Sequence, residues 1–152
     1  MDLVSLLKKD HRKVEQALQS LIEESNGTID KAKLMEICQE LQQHMRAEEE
    51  LLYPQMLKKM KKSEEGRSLT EDAMHEHGEA KDILIKLLGE QDKLSAEECK
   101  ALCQQLLQDL QHHVQEEEEQ MFPKMEEAFS QDELERITQE IQTLKREHKG
   151  EF

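Results

Sequence analysis

The sequence predicts an all-α protein, an up-down-up-down four-helix bundle with a short C-terminal fifth helix. Charged residues make up 37% of the 152 residues and aromatic residues only 3%, a composition typical of long helices rather than of β-sheets. Apolar residues recur at helical spacing along four long segments, so each segment has one apolar stripe to cover. Short connections make neighbouring helices antiparallel, and four such stripes cover one another in a bundle. The length fits one domain, residues 1–152.

Turn and capping residues divide the chain into helices. The stretch SNGT at residues 25–28 is a stop and a restart, and Gly66 and Gly89 have the position of C-caps. Three Ser-x-x-Glu pairs have the spacing of capping boxes: Ser68 with Glu71, Ser95 with Glu98, and Ser130 with Glu133. These signals predict a bundle over residues 2–129, with helices at 2–25, 30–62, 68–89 and 95–129, followed by a C-terminal helix at 131–148.

Each predicted helix carries its own apolar stripe. In chain order the stripes comprise Leu7, Val14, Leu18 and Leu21; Leu34, Ile37, Leu41 and Leu51; Met74, Leu84 and Leu87; Leu102, Leu106, Leu110 and Met121; and Leu134, Ile137, Ile141 and Leu144. The fifth stripe predicts that the C-terminal helix packs on the bundle.

Charge and hydropathy exclude several classes of partner. The formal net charge of -14 would repel the phosphates of nucleic acids and an anionic membrane surface. No apolar run reaches about 18 residues, and the amino-terminal stretch MDLVSLLKKDHRK is too polar for a signal peptide. We therefore expect a soluble, cytoplasmic protein. Three cysteines without CxxC spacing suit the same compartment, and Cys38, Cys99 and Cys103 are interpreted as residues of the core wall.

One histidine falls on the apolar stripe of each bundle helix: His11, His44, His77 and His113. Four buried imidazoles without a common partner would each cost about 1–3 kcal/mol if left unsatisfied. A shared metal centre removes that cost. The other histidines, His75, His112 and His148, lie off the stripes or in the tail and are expected in solvent.

Two glutamates are in phase with these histidines. Glu48 follows His44 by four residues and Glu117 follows His113 by four, so each pair lies on one helix face. A buried carboxylate needs a cation or a proton, and a divalent metal supplies the cation. The neighbouring acids of the two runs are interpreted as solvated: Glu49, Glu50, Glu116, Glu118 and Glu119.

The donor set predicts two metal ions with open positions. Four imidazole nitrogens and two bridging carboxylates supply eight donors, and an oxo or hydroxo bridge between two six-coordinate ions leaves about one open position on each. Imidazole with carboxylate favours non-haem iron, as Fe2+ or Fe3+, over manganese or zinc. An open position suits a small ligand.

Two stretches repeat one motif, H-x-x-x-E-E-x-x-[LM]-[YF]-P. They are HMRAEEELLYP at residues 44–54 and HVQEEEEQMFP at residues 113–123. With KDHRKV at residues 9–14 and HEHGEA at residues 75–80, the sequence resembles the hemerythrin-like, HHE cation-binding family over about residues 3–129. The resemblance implies two helix pairs of one plan. It implies the metal ligands His11, His44, Glu48, His77, His113 and Glu117, and bends at Pro54 and Pro123 beyond the site.

The sequence departs from the oxygen-carrying members at one position. Those proteins have a second histidine four residues before the one on the third helix, whereas this chain has Ala73 there. The remaining set resembles the branch that repairs iron centres and handles nitric oxide. In that branch carboxylates beside the ligands matter, and Glu40, Glu76 and Asp109 occupy similar places.

Three functions remain open at this point. The first is a di-iron protein that binds or senses O2 or NO, or buffers iron. The second is an enzyme with the same centre, which repairs iron centres or reduces NO or peroxide with an unidentified redox partner, using Glu40 or Glu76 to move protons. The third is a structural bundle that is metal-free or holds zinc.

Overall fold

The computed structural model describes residues 2–90 and 92–148, and His148 only in its backbone. All regular secondary structure of the described chain is helical, without a strand, which confirms the predicted fold class. Its α-helices are α1 (Leu3–Glu23), α2 (Lys31–Ala47), α3 (Tyr53–Lys59), α4 (Glu64–Gly89), α5 (Ala96–Glu116), α6 (Phe122–Ala128) and α7 (Gln131–His148). Two π-helical turns, Glu48–Leu52 and Glu117–Met121, join α2 to α3 and α5 to α6. No helix in the described part of the chain is both long and apolar enough to cross a membrane.

Four long helices form the walls of the bundle. Helix α1 contacts α2 and α5, and α4 contacts the same two helices from the other side. Helix α7 lies across α1 and α2 and buries Ile137 and Ile141, as its stripe predicts. The core contains two apolar clusters. The first includes Val14 and Leu41, the second includes Leu7 and Ala47, and the histidines of α1 and α2 lie between them.

Local capping explains where most helices begin. The Ser95 hydroxyl accepts a hydrogen bond from the Glu98 N–H at 3.0 Å, and Ser130 accepts one from Glu133 at 3.2 Å. Each glutamate accepts from the N–H of its serine in return, so two of the three predicted capping boxes form. Within SNGT, Gly27 has φ of +88°, a conformation that favours glycine. The turn between α1 and α2 therefore depends on this glycine.

The predicted start of the third bundle helix is wrong. Helix α4 begins at Glu64, because the Ser63 hydroxyl accepts from the Gly66 N–H at 3.1 Å and satisfies the first turn. Ser68 is therefore inside the helix rather than at its cap. Gly66 does not end a helix either: it lies in the first turn, where an added Cβ would sit 2.6 Å from the Met60 sulfur.

Two smaller predictions on α4 also differ from the structure. Gly89 is the last helical residue rather than a left-handed C-cap, since the C-cap is Glu90. Met74 is 44% exposed, whereas its neighbour Ala73 is buried. The apolar stripe therefore runs one residue earlier than the sequence indicates, through the small side chains of Thr70 and Ala73.

A π-helical turn precedes each proline of the repeated motif. The Tyr53 N–H donates to the Glu48 carbonyl and the Phe122 N–H donates to the Glu117 carbonyl, each five residues back. A proline ring clashes with the carbonyl four residues earlier in a regular helix, and the wider turn gives that ring room. Both in-phase glutamates begin these turns.

Candidate metal centre

Six buried polar side chains meet between the two apolar clusters. They are between 0% and 7% exposed: His11, His44, Glu48, His77, His113 and Glu117. Each wall helix supplies one histidine, and each π turn supplies one glutamate. The structure thus brings together all six residues that the sequence singles out as metal ligands.

The Nε2 atoms of the four histidines converge on the two carboxylates. The Nε2–oxygen distances are 2.9 Å from His44 to Glu48, 3.3 Å from His77 to Glu48, 3.2 Å from His11 to Glu117 and 3.2 Å from His113 to Glu117. Two groups of four residues result, His11 and His44 on one side and His77 and His113 on the other, each with ligand atoms within 4.8 Å of one another. Both groups share Glu48 and Glu117. This arrangement suits two adjacent cations bridged by two carboxylates.

Several of these atoms are close without forming hydrogen bonds. Both oxygens of Glu48, Oε1 of Glu117 and Nε2 of His113 are fully buried and have no hydrogen-bond partner. The Nε2 atoms of His11 and His44 are 3.1 Å apart, and no more than one of them can donate to the other. Buried groups left in this state destabilise the fold. A cation that accepts lone pairs from nitrogen and oxygen together removes the conflict.

Four carboxylates on the outside hold the four histidines. The Nδ1 atoms of His11, His44, His77 and His113 lie 2.8, 3.1, 2.9 and 2.9 Å from Glu118, Asp10, Glu49 and Glu76, respectively. An ionised carboxylate only accepts hydrogen bonds, so the proton of each ring is on Nδ1. With a cation bound, each neutral ring would therefore present the Nε2 lone pair to the interior, which is the tautomer that a metal ligand needs.

Three of these outer carboxylates also bind a basic side chain. Arg12 donates to Glu118, Lys81 to Glu49 and Lys145 to Asp10. Lys145, which donates to Asp10, belongs to α7. The C-terminal helix therefore contacts both the apolar core and the carboxylate that bonds to His44. The fourth carboxylate, Glu76, faces His112 instead, with Oε2 3.6 Å from Nε2 of that ring.

The sequence identified only one of these four supports. Glu76 bonds to His113, whereas Glu49 and Glu118, expected in solvent, bond to His77 and His11. Asp10 was not singled out. The sequence does contain a pattern that marks these supports. An acidic residue directly precedes the first histidine of each half, and another directly follows each motif glutamate; these four are Asp10, Glu76, Glu49 and Glu118.

The structure does not bring Glu40 and Asp109 to the histidines. Glu40 pairs with Lys13 at 3.1 Å on the surface, one turn from His44, and Asp10 takes the place expected for it. Asp109 accepts a hydrogen bond from Gln105 at 2.8 Å. Glu40 therefore lies on the surface, whereas Asp109 lies in the wall of a cavity beside the site without contacting a histidine ligand.

Tyr53 is a site residue that the sequence analysis missed. Its buried hydroxyl donates to Glu117 Oε2 at 2.6 Å and lies 3.3 Å from Nε2 of His77. The equivalent residue of the other half, Phe122, stacks on His11 with ring centroids 6.1 Å apart and has no hydroxyl. The two halves of the centre are therefore chemically different, with the only phenol of the chain beside His77.

A cavity of about 230 Å³ leads to the centre between α2, α4 and α5. Its inner wall includes His77 and His113, and its outer wall includes Glu76, Asp109 and His112. A small molecule has room there, and the acidic outer wall also favours cations.

Burial and charge give the metal-free centre a defined pH dependence. Burial opposes protonation of His44, but the charge of Glu48 and the bond to Asp10 outweigh it and raise the pKa to about 9. Burial also opposes ionisation of Asp10, but the bonds from His44 and Lys145 lower its pKa to about 2. In the absence of metal, protons therefore occupy the nitrogen positions, and metal binding must release them.

We expect the metal-free protein to lose stability as the pH rises from 6.5 to 9. The raised pKa of His44 stabilises the fold below its unfolded value of 6.5, and that contribution is lost through about 9. The lowered pKa of Asp10 stabilises above 3.8 and is lost toward about 2. Urea unfolding of chelator-treated protein should show a decrease on the order of 3 kcal/mol across the upper range. His44→Gln should reduce this slope without abolishing it, because the pKa values of His11, His77 and His113 are also raised. A wild-type slope of zero would contradict the assignment.

Comparison with known proteins gives a family and one relative. The model of the hemerythrin HHE cation binding domain matches residues 2–98 and 82–151. An uncharacterized hemerythrin-like protein of Schizosaccharomyces pombe is 29% identical over 125 residues, which is 82% of this chain and 60% of the relative. The chain thus spans about 60% of the length of that relative. No solved structure matches.

Proposed function

This chain belongs to the hemerythrin HHE cation-binding family, and from that premise we propose that it is a non-haem di-iron protein that binds or senses O2 or NO, or buffers iron. The observation that carries the proposal is the buried carboxylate of Glu48: neither oxygen has a hydrogen-bond partner, and Oε1 lies 2.9 Å from Nε2 of His44 and 3.3 Å from Nε2 of His77. Without a cation or protons between these atoms the arrangement would destabilise the fold, because a buried carboxylate needs a positive partner.

The six buried residues would hold the two ions. His11 and His44 would bind one, His77 and His113 the other, and Glu48 and Glu117 would bridge them. The donors are imidazole and carboxylate, without the thiolates typical of closed structural zinc sites, which favours iron over zinc. When bound, iron would supply redox chemistry and an open position for a diatomic ligand.

The protein's own residues would then orient and protect this position. The carboxylates on Nδ1 fix the four rings, and their bonds to Arg12, Lys81 and Lys145 fix three of the carboxylates. The two apolar clusters exclude water from both sides. The cavity has room for a diatomic ligand beside His77 and His113.

The Tyr53 hydroxyl positions one oxygen of the bridge. Its hydrogen bond fixes Glu117 Oε2, so that Oε1 faces His11 and remains free to bind a cation. We expect Tyr53→Phe to retain both metals and to destabilise the protein by about 1.5–3 kcal/mol, as the loss of a hydrogen bond to a charged acceptor does. Elemental analysis and urea unfolding of the loaded variant test this. Unchanged stability would show that the hydroxyl contributes nothing to holding the carboxylate.

A second candidate is an enzyme that reduces NO or peroxide, or repairs iron centres, at the same centre. Glu76 favours it, because this half-buried carboxylate bonds to His113 on one side and lines the cavity on the other, a path for protons between solvent and the centre. Glu40, the other expected proton carrier, pairs with Lys13 at 3.1 Å and does not line this cavity.

One experiment separates the two candidates. Protein loaded anaerobically with Fe2+ is mixed with O2 or with NO, and its optical spectrum is followed with and without a reductant. A reversible or single-equivalent change supports binding or sensing, whereas repeated consumption of NO or peroxide with reductant supports the enzyme. Loaded protein that responds to neither gas would contradict ligand binding and leave iron buffering.

A further inference from the structure

The outer carboxylates of the centre are not all equivalent. Asp10, Glu49 and Glu118 each bind a lysine or arginine side chain as well as a histidine. Glu76 has no lysine or arginine partner among residues 2–90 and 92–148. Its outward oxygen Oε2 faces His112, whose Nε2 is 3.6 Å away. Of the four outer carboxylates, Glu76 is therefore the one without a basic side chain beside it in the described chain.

The two halves of the chain place Asp10 and Glu76 at equivalent positions, and only Asp10 has a lysine partner in the described chain. Asp10 precedes His11 and bonds to His44, and Glu76 likewise precedes His77 and bonds to His113. In the first half α7 covers the carboxylate and supplies Lys145. In the second half, the described chain has no helix at the equivalent place, and the carboxylate faces the surface of α5.

Beside Glu76, at the place that corresponds to Lys145 beside Asp10, lie His112 and Glu116. Imidazole and carboxylate are both common metal ligands, and their atoms lie close enough to share one ion. His112 Nε2 lies 3.4 Å from Glu116 Oε1 on the next turn of α5. One ligand atom from each of Glu76, His112 and Glu116 falls within 4.8 Å of the others. Two carboxylates and one neutral imidazole carry a charge that a divalent ion balances. The imidazole is 67% exposed, so an ion there would keep water ligands and exchange readily.

Two of these three residues lie at the entrance to the buried centre. Glu76 and His112 line the cavity that also reaches His77 and His113, and Glu79 and Asp109 add negative charge to its outer wall. Inside the cavity wall, Nε2 of His113 is buried and has no hydrogen-bond partner. The cavity thus connects two residues of the exposed set, Glu76 and His112, with the side chain of His113.

We propose that Glu76, His112 and Glu116 form an exposed site for a divalent transition-metal ion, from which ions pass through the cavity to the buried centre. Glu76 links the two because one carboxylate contacts His112 with Oε2 and His113 with Oε1. The delivery step rests on the di-metal centre proposed above, whereas the exposed site does not.

The simpler interpretation is a surface ion pair between His112 and Glu116. Such exposed pairs, four residues apart on a helix, contribute little to stability. The chain contains a matched example, since His75 Nε2 lies 3.7 Å from Glu79 Oε1 on α4. That pair lacks a third ligand within the same distance in the described chain. His75→Ala is therefore the control for His112→Ala.

The test uses Co2+ as the probe, with the chelated full chain as the starting protein. Equilibrium titration followed by absorbance counts the bound ions, and stopped-flow mixing gives the loading rate of the buried pair. We expect wild type and His75→Ala to bind a weak third ion. His112→Ala/Glu116→Gln should lose that ion and load the buried pair at least about fivefold more slowly, with final occupancy of the pair unchanged.

The outcomes separate this inference from the proposed function. Two buried ions with no third ion in wild type would overturn the exposed site and leave the di-metal centre standing. Loss of the third ion with an unchanged loading rate would overturn the delivery step. A third ion that is lost equally in His75→Ala would overturn the assignment to His112. Failure of wild type to bind any ion would contradict the exposed site and the buried centre together.

Discussion

Replacing Glu117 by glutamine is expected to empty both metal positions, reducing the bound metal from about two ions per chain to less than one. Oε1 of Glu117 faces His11 and Oε2 faces His113, so this single carboxylate belongs to both groups of ligands. An amide is neutral and has only one oxygen, so it cannot bridge two cations. Elemental analysis after dialysis measures the effect.

Glu119→Gln is the matched control for this change. Glu119 belongs to the same acidic run, two residues further on, but it is exposed. It should retain both ions and the wild-type melting temperature. Equal metal content in the two variants would show that the bridging position was assigned wrongly.

Removal of the metals from the wild-type protein is expected to lower its melting temperature by roughly 10–20 °C. Each ion at a hundredfold excess over its Kd stabilises the folded state by about 2.7 kcal/mol, and a domain of this size shifts by about 2–4 °C per kcal/mol. Removal also exposes the conflict among Glu48, His44 and His77, whose close atoms then need protons instead. Differential scanning calorimetry with and without chelator tests the prediction.

The Glu117→Gln protein supplies the comparison for this measurement. Because it should hold little metal, chelator should change its melting temperature by no more than a few degrees. A wild-type protein with the same melting temperature in chelator would favour the metal-free structural bundle.

The inner residues of the centre were accessible to sequence reasoning because they obey the period of a single helix. Glu48 and Glu117 follow their histidines by four residues and share a face with them. The residues that support the histidines obey no such rule. Glu49 bonds to His77 and Glu118 to His11, contacts between different helices that depend on how the bundle packs.

Contacts that helix periodicity does not encode also explain why the start of α4 and the roles of Asp10 and Tyr53 differ from the sequence predictions. The start of α4 was misplaced because Ser68 with Glu71 has the complete capping-box pattern, whereas the actual cap, Ser63, is followed three residues later by Gly66. Asp10 gains its importance from Lys145, which is 135 residues away in the chain. Tyr53 belongs to the repeated motif, but the motif does not indicate its role. Its hydrogen bond to Glu117 depends on a π turn that apolar periodicity does not predict.

The central claim, two iron ions held inside the bundle by four histidines and two glutamates, is tested most directly by elemental analysis of protein produced with iron. The wild type is compared with the His44→Ala/His113→Ala protein, which loses one nitrogen ligand from each metal position. We expect about two irons per chain in the wild type and less than one in the double variant. Wild-type protein without iron, or a double variant that retains its metal, would contradict the account.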